Sequence, residues 1–547
     1  MTVSTFRTPW IWTGLWLVVM AAALFARPLL PMDETRYLAV AWEMWFGGDF
    51  LVPHLNGETY SHKPPLLFWL INLGWGVFGV NDWWPRLVAP LFGLASLFLT
   101  ARLARVLWPG EDNAPITLYA PLVAFGGLFW SLYTTLTMFD MILAFCTLLG
   151  LLGVVRAWAS KPWTGFALMG LGIGLGVLTK GPAILLHILP VALMAPLWGR
   201  HLQGGSAGWG RWYAGILGAV LLGAAIGLAW AIPAGIAGVE AYREAIFWGQ
   251  SAGRVTSSFA HARPWWWYMV VLPVMLLPWL IWPPIWRAVS KAGRRFKDGN
   301  KDGGLRFCIA WIVPAFVVFS LISGKQPHYL LPELPAIALV LVRLLTAVEA
   351  EDKKSAWDPV LPGLFVLGLG VALTGLHGWP LPAAMPPWLG MVAAPWGLVI
   401  VAAGLGAFTS GRWALPARIA VIGSLSAVVV VASHLAMRPV LRAVYDLKPV
   451  AMQLAEWQKQ GVPLANYSKY HGQYNFLGRL TKPIAQVGMF SPDTANFIKT
   501  HPKGRIIAYH DKPILLAEPL MTFRFRSRLI AIWDASVVAR HPGVTER

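Results

Sequence analysis

Runs of about 20 apolar residues, separated by short charged stretches, recur along this 547-residue chain as far as position 437. Each run matches the hydrocarbon thickness of a bilayer. In lipid, a backbone satisfies its own N–H and C=O groups only as a helix or a closed barrel. The runs lie near 10–26, 87–107, 114–134, 139–158, 163–180, 182–198, 213–237, 267–286, 307–323, 329–347, 358–377, 389–409 and 416–437. They predict a polytopic α-helical membrane protein with about 13 transmembrane helices. Charged residues make up 13% of the chain, against roughly 25% in a soluble protein. That excludes an ordinary soluble domain, a disordered chain and a collagen. With two cysteines, Cys146 and Cys308, both inside apolar runs, no disulfide scaffold is available. The first run follows Arg7 but leads into Arg27-Pro28 and many further spans, so it reads as a retained helix and not a signal peptide.

The formal net charge of +19 would suit nucleic acid, but the basic residues lie mostly in short loops between apolar runs. With a cytoplasmic N-terminus, the inner loops carry Arg102/Arg105, Arg156/Lys161, Arg200/Arg211, the dense stretch 287–306, Arg343–Lys354 and Arg412/Arg418. That regular alternation is the positive-inside pattern, with anionic head groups as further partners and no nucleic acid. It places the long loops 27–86 and 238–266 outside, and residues 440–547 with them. The chain therefore divides into a membrane domain, 1–439, and a small outer α/β domain, 440–547. In the latter, Lys448–Lys459 has a helical pattern, and Arg505–Tyr509 and Pro513–Leu516 read as strands.

The first outer loop is the richest in chemistry. Asp33 and Glu34 stand at a membrane exit with Arg36 and Tyr37 one turn on. Ionised groups at that depth are costly and tend to be functional, whereas a helix cap needs only one of them. Ala39–Phe46 reads as an interfacial helix. Asp140 is a second acid at an outer exit, flanked by apolar residues, and either capping or catalysis fits its position. Arg36, Lys63, Arg243, Arg254, Arg263, Lys325 and Lys180 are outer-side cations suited to an anionic ligand, although snorkelling explains any one alone. Ser323–Tyr329 is a turn bent by Gly324 and Pro327, with polar backbone free to line a cavity. His54, His62, His261 and His328 fall in outer loops with Glu34, Glu58 and Glu240, so a divalent metal such as zinc is one reading, but no HxxxH or CxxC spacing supports it. Leu178–Pro182 looks like the tail of a phosphate loop but lacks the leading glycine, and the glycines at 170–176 read as helix-packing residues.

Taken in order, these motifs resemble a known family: DETRY (33–37), GGDFLVPHLNG (47–57), KPP (63–65), Arg86-Leu87, Asp140, GLGVLTKG (174–181), HARPWWWY (261–268) and SGKQPHYLLP (323–332). The set is similar to the lipid A aminoarabinose transferases, which group with protein O-mannosyltransferase-like membrane glycosyltransferases of the GT-C fold. The resemblance covers most of residues 30–345. It implies 13 spans, a long outer loop (here 238–266) that reorders around its donor, a C-terminal periplasmic domain, and a polyprenyl-phosphate sugar as substrate, commonly on undecaprenyl phosphate. It further implies Asp33 as the catalytic carboxylate with Glu34 beside it, Asp140 as the second essential acid, and Arg36, Lys63, Arg254, Lys325 and Tyr329 around the donor phosphate. Two positions depart from the pattern: His62 stands where relatives carry Glu, and Gln250-Ser251 where they often carry Glu-His. With Tyr37 and His261, His62 and Gln250 are assigned to sugar or acceptor recognition.

The expected function is therefore an inverting glycosyltransferase in the bacterial inner membrane with its site facing the periplasm. It would move a sugar, such as 4-amino-4-deoxy-L-arabinose, from undecaprenyl phosphate to lipid A phosphate or another glycolipid. No further cofactor is required by the sequence, and a monomer is expected. A flippase for a lipid-linked anion, a protein O-glycosyltransferase and a lipid-binding scaffold are the alternatives. Transporters usually carry internal repeats, and none appears here.

Overall fold

The computed structural model describes residues 8–545 apart from 160, 203, 206–207, 250–261, 298–301, 350–353, 377–386, 489–491 and 513–515. Among the described residues, eight helical runs are long and apolar enough to cross a membrane: Pro9–Ala26, Pro85–Leu107, Phe139–Trp158, Pro162–Leu193, Trp209–Ala237, Gly303–Leu321, Pro327–Val348 and Leu415–Lys459, the last having its apolar part in the helix Leu415–Val444. The run Pro162–Leu193 contains two of the expected spans, because the helix Pro162–Lys180 ends at Gly181, which has φ of 71°. A second helix, Ile184–Leu193, then packs back, with Ile184 against Gly176.

The four remaining apolar runs are helical but broken or short. The run near 114–134 breaks at Gly126-Gly127, between the helices Ala114–Phe125 and Leu128–Tyr133. The run near 267–286 stops at Met275, turns through Leu276–Trp282 and restarts at Pro283. Glycines sit at the first break, where they lower helix propensity, and Pro278 sits at the second, where a backbone donor is missing. The last two runs give only Val360–Gly375 and Trp396–Ala407. The periodic apolar pattern extends past the segments whose backbone stays helical.

Ion pairs of the helical part gather at its two ends. At one end, Asp302 caps the helix Gly303–Leu321, receives Arg343 Nε at 2.7 Å and accepts Trp108 Nε1 at 2.9 Å. A second aspartate, Asp358, is gripped by Arg287 and Arg418. At the other end lie Arg27–Glu34, Arg36–Asp33 and Lys180–Asp140. This is the cheapest distribution, since a charge in mid-membrane costs several kcal/mol even when paired.

Close helix contact sets the geometry of the second end. A Cβ added at Gly172 would fall 2.6 Å from the backbone N of Gly150, and one at Gly153 would fall 2.5 Å from that of Met169. The helix that starts at Phe139 and the helix that ends at Lys180 therefore touch backbone to backbone.

The first outer loop follows helix α1 (Thr8–Ala26) and folds as α2 (Asp33–Gly47), a hairpin of β1 (His54–Leu55) and β2 (Glu58–Thr59), and an apolar helix Leu66–Phe78. Gly48 ends α2 with φ of 72°, a left-handed conformation glycine adopts without steric cost. The face of α2 from Glu34 to Met44 is buried, so it is a packed helix and does not lie open on an interface.

Residues 448–545 form the α/β unit. The helix spans Lys448–Lys459, and β5 covers Arg505–His510. The second expected strand, 513–516, falls largely outside the described residues. The five-stranded mixed sheet has the order β4 (Ala485–Val487), β3 (Leu464–Tyr467), β5, β7 (Arg528–Asp534), β6 (Met521–Phe525). β3 runs parallel to β4 and β5, and β7 runs antiparallel to β5 and β6. The unit rests on the first outer loop. Asn475 Nδ2 donates to Glu43 at 3.1 Å, Trp42 Nε1 donates to the Leu480 carbonyl at 2.8 Å, and Asn56 exchanges hydrogen bonds of 2.8 and 2.9 Å with Ile484.

Candidate active site

Asp140 opens the helix Phe139–Trp158, where first-turn N–H groups and the helix dipole favour an anion. Lys180 closes the neighbouring helix, where the dipole favours a cation. The glycine contact brings these two ends together. Lys180 Nζ donates to Asp140 Oδ1 at 2.5 Å, and Tyr133 Oη donates to Oδ2 at 3.0 Å. His328 Nε2 lies 4.0 Å from Oδ1. The side chains of Asp140 and Lys180 are 3% and 11% exposed, so water screens the pair little.

A ring of aromatic groups surrounds the pair. Lys180 lies 4.7 Å from the centroid of Tyr329, and His328 packs on Tyr133 at 5.6 Å. Lys63 Nζ is 5.6 Å from the centroid of Phe139, next to Asp140, and its charge reaches that carboxylate. His62 packs edge-on to Tyr60 at 5.4 Å.

Asp33 approaches from α2. It is half exposed and paired with Arg36. Tyr37, one turn after Asp33, packs edge-on to Phe139 at 4.9 Å. Burial, with the Asp33 carboxylate adding to it, raises the Tyr37 phenol far above its ordinary value and keeps it protonated. Both acids act electrostatically on Tyr37 and on Tyr133, so the two share one polar environment.

Glu34 points elsewhere. It is buried against Arg27, and it accepts the backbone N–H of Leu30 and of Thr137, each at 2.8 Å. Burial alone would raise its carboxyl, but Arg27 and the two N–H groups outweigh it and the net shift is downward. Arg27 also donates to the Thr135 carbonyl. The start of α2 is thereby fastened to the segment just before Asp140.

Lys325 is buried, and its ammonium bonds two backbone carbonyls, Arg263 at 2.9 Å and Ile322 at 2.5 Å. It ties the segment at Arg263 to the turn that carries His328 and Tyr329. Gln250, Arg254 and His261 lie outside the described residues. Among the described residues, no group of three or more His, Cys, Asp or Glu side chains forms a metal site. Sequence reading named Lys180 only among many cations and did not single out Tyr133. The usable signal was an ionisable residue ending an apolar run on the same side as Asp140.

A cleft of about 370 Å³ opens beside these groups. Ser61, His62, Lys63 and Lys180 line its polar end, and Ile173, Val177, Val220, Ala224 and Leu228 supply apolar wall. A second groove of about 380 Å³, beside Ile11, Leu15 and Trp396, is lined without any ionisable side chain. The first cleft joins an apolar channel to cations, the shape needed by an amphipathic anion.

Comparison with known proteins agrees with this architecture. Residues 62–230 match the family model described as dolichyl-phosphate-mannose-protein mannosyltransferase. An undecaprenyl phosphate-α-4-amino-4-deoxy-L-arabinose arabinosyl transferase of Pseudomonas aeruginosa (strain LESB58) is 31% identical over 353 residues, which is 63% of this chain and 60% of that protein. The chain thus matches less than two thirds of the length of that relative. The enzyme of the same name from Edwardsiella ictaluri (strain 93-146) is 30% identical over 419 residues, 73% of this chain and 70% of its own. Crystal structures of ArnT from Cupriavidus metallidurans share the GT-C fold. The apo form has a TM-score of 0.74 at 19% identity over 96% of this chain and 98% of that one, and the form bound to undecaprenyl phosphate has 0.72 at 20% over 95% and 97%. A membrane fold with paired acids and cations at one helix end, together with a relative matched along 70% of its length, identifies the chain as a member of the undecaprenyl phosphate-aminoarabinose arabinosyl transferase family.

Proposed function

We propose that this chain is an inverting glycosyltransferase of the bacterial inner membrane, acting at the periplasmic face. Its donor is a sugar on undecaprenyl phosphate, 4-amino-4-deoxy-L-arabinose in the first instance, and its acceptor is a lipid A phosphate. The observation that carries this reading is the cleft in which an apolar wall ends on Lys63 and Lys180, next to Asp140. The polyprenyl chain lies along the apolar wall and its phosphate meets the cations.

In the reaction, the bond between the anomeric carbon and the donor phosphate oxygen breaks, leaving its electron pair on the phosphate. An acceptor oxygen bonds the anomeric carbon from the opposite face, which inverts the configuration. Negative charge grows on the leaving phosphate. Lys63, Arg36 and Tyr329, together with Arg254, stabilise it as preset charges and donors, and Lys325 holds the turn that carries Tyr329. Asp140 is already committed to Lys180, Tyr133 and the nearby His328, so it organises this cationic wall. Asp33 is the acid with free surface, and it faces the acceptor. An ionised phosphate acceptor needs no base, and Asp33 then positions it and steadies the oxocarbenium-like centre. Tyr37, His62, Gln250 and His261 recognise sugar or acceptor. Glu34 positions Asp33 through its grip on the 135–137 segment.

Incubating the purified chain with labelled undecaprenyl-phosphate aminoarabinose and lipid A tests the reading. Labelled lipid A is expected from wild type, with a loss of about 100-fold or more for Asp33→Asn. Wild-type rates in that variant, or no transfer by the native chain, would refute it. The flippase reading is less favoured, because among the described residues most ion pairs of the helical part lie toward its two ends.

A further inference from the structure

One buried pair of ionisable groups stands apart from the ion pairs at the helix ends. His187 Nδ1–H donates to Glu333 Oε1 at 2.5 Å, and the two side chains are 1% and 2% exposed. His187 lies in the first turn of the helix Ile184–Leu193, seven residues after Lys180. Glu333 closes the short helical stretch Pro327–Glu333, four residues after Tyr329, and leads into the helix Leu334–Val348. Both stand within apolar runs of spanning length. Ionisable residues at such depth are costly, and a buried pair adds little stability that two packed apolar side chains would not. Glu333 Oε2 is buried without a partner among the described residues, which adds to the cost. Stability therefore does not account for the pair.

Its surroundings do. The segment that leads to His187 is one wall of the donor cleft, which Lys180, Gly181, Pro182 and Leu185 line. The stretch that ends at Glu333 carries His328 and Tyr329, and Lys180 Nζ lies 4.7 Å from the centroid of the Tyr329 ring. Phe319, from the helix Gly303–Leu321, packs on both sides of the junction, 5.3 Å from the His187 ring and 5.8 Å from the Tyr329 ring. The contacts close a circuit: Lys180 to Tyr329 through space, Tyr329 to Glu333 along the chain, Glu333 to His187 by the hydrogen bond, and His187 back to Lys180 along the chain. The turn before Tyr329 has other ties, from Tyr268 Oη to the Gln326 carbonyl at 2.8 Å and from Lys325 to the Arg263 carbonyl at 2.9 Å. Those hold one end of the stretch, and the His187–Glu333 bond holds the other.

We propose that His187 and Glu333 are positioning residues for the donor phosphate. Their bond sets Tyr329 against Lys180, so that the phenol and the ammonium meet the same phosphate. This rests on the transferase reading, in which that wall receives the donor, and it adds two residues that lie behind the cleft wall and act through Lys180 and Tyr329. A hydrogen bond suits the task because it is directional. It selects one register of the 327–333 stretch against the helix Ile184–Leu193, whereas apolar side chains pack in several.

The test measures binding of undecaprenyl phosphate and of undecaprenol to the full chain in detergent micelles, so that the difference isolates the phosphate. Wild type is expected to prefer the phosphate by about tenfold or more, the scale of one charge-assisted hydrogen bond. His187→Met keeps the volume but loses the N–H, and it should abolish most of that preference while leaving undecaprenol affinity unchanged. His187→Gln returns an N–H donor and should recover most of the preference. The double variant His187→Leu with Glu333→Leu strands no polar partner, so it should unfold at the wild-type temperature and still lack the preference. Full preference in the stable double variant, equal preference in His187→Met and His187→Gln, or no preference in wild type overturns the proposal. Equal loss of both probes also overturns it, since the pair would then only hold the fold. Transfer of labelled sugar by the native chain is followed in parallel: a phosphate preference that depends on the pair, without transfer, refutes the transferase reading alone.

Discussion

Replacing Lys180 with Met removes the partner of a buried carboxylate without changing side-chain length much. Asp140 would keep the Tyr133 hydroxyl at 3.0 Å, the imidazole of His328 at 4.0 Å and the field of Lys63. Breaking a buried ion pair costs about 3–5 kcal/mol, and these remaining groups place Lys180→Met near the lower figure, about 3 kcal/mol. Asp140→Asn is milder, at about 2 kcal/mol, because Lys180 retains the Tyr329 face at 4.7 Å and the carbonyl end of its own helix. If the two acted independently, the double variant would lose about 5 kcal/mol. Neutralising both partners leaves no uncompensated charge, so the double variant should lose only about 2 kcal/mol, a coupling of about 3 kcal/mol. Tryptophan fluorescence during denaturation in detergent gives the stabilities, and transfer from the lipid-linked sugar gives the rates. All three variants should lose about 100-fold or more in transfer, because the pair sets the charge beside the leaving phosphate. Additive stabilities within about 0.5 kcal/mol would refute a direct ion pair. Near-native transfer by the double variant would refute its part in the reaction.

Two further outcomes follow from the same geometry. Because Glu34 has its carboxyl lowered below the ordinary 4.5, its stabilising contribution is complete above that pH and fades as pH falls below it. Glu34→Gln should cost about 3 kcal/mol at neutral pH by stranding Arg27, and should flatten the acid limb of a stability–pH curve, while an unchanged limb would assign the titration to another group. Gly172→Val drives a Cβ into the Gly150 backbone at 2.6 Å. It should cost about 1–3 kcal/mol and depress transfer further than that loss of stability accounts for, since it separates Asp140 from Lys180, and equal effects on stability and rate would argue against this.

The acids of the site were legible because of where they stand. Asp33 and Asp140 each end an apolar run, and an ionised group at that depth demands a reason. The partners were not, since Lys180 is 40 residues from Asp140 and looked like any snorkelling lysine until helix packing brought it within 2.5 Å. Glu34 shows the opposite case. Beside Asp33 in sequence it shares every local signal, yet a helix turns neighbouring side chains about 100° apart, and the buried face receives Arg27 while the open face keeps Asp33.

What the sequence determined alone was the solvent. Long apolar runs at 13% charge require lipid and therefore helices, and their basic loops order the ends. It also carried the local periodicity behind the helix Lys448–Lys459 and the strand Arg505–His510. Only tertiary structure decided which runs break, which cation meets which acid, and that Asn475 closes on Glu43 from 432 residues away. Those outcomes depend on contacts between segments distant in the chain, where close glycine packing and the burial of charge select one arrangement from many that the local pattern permits.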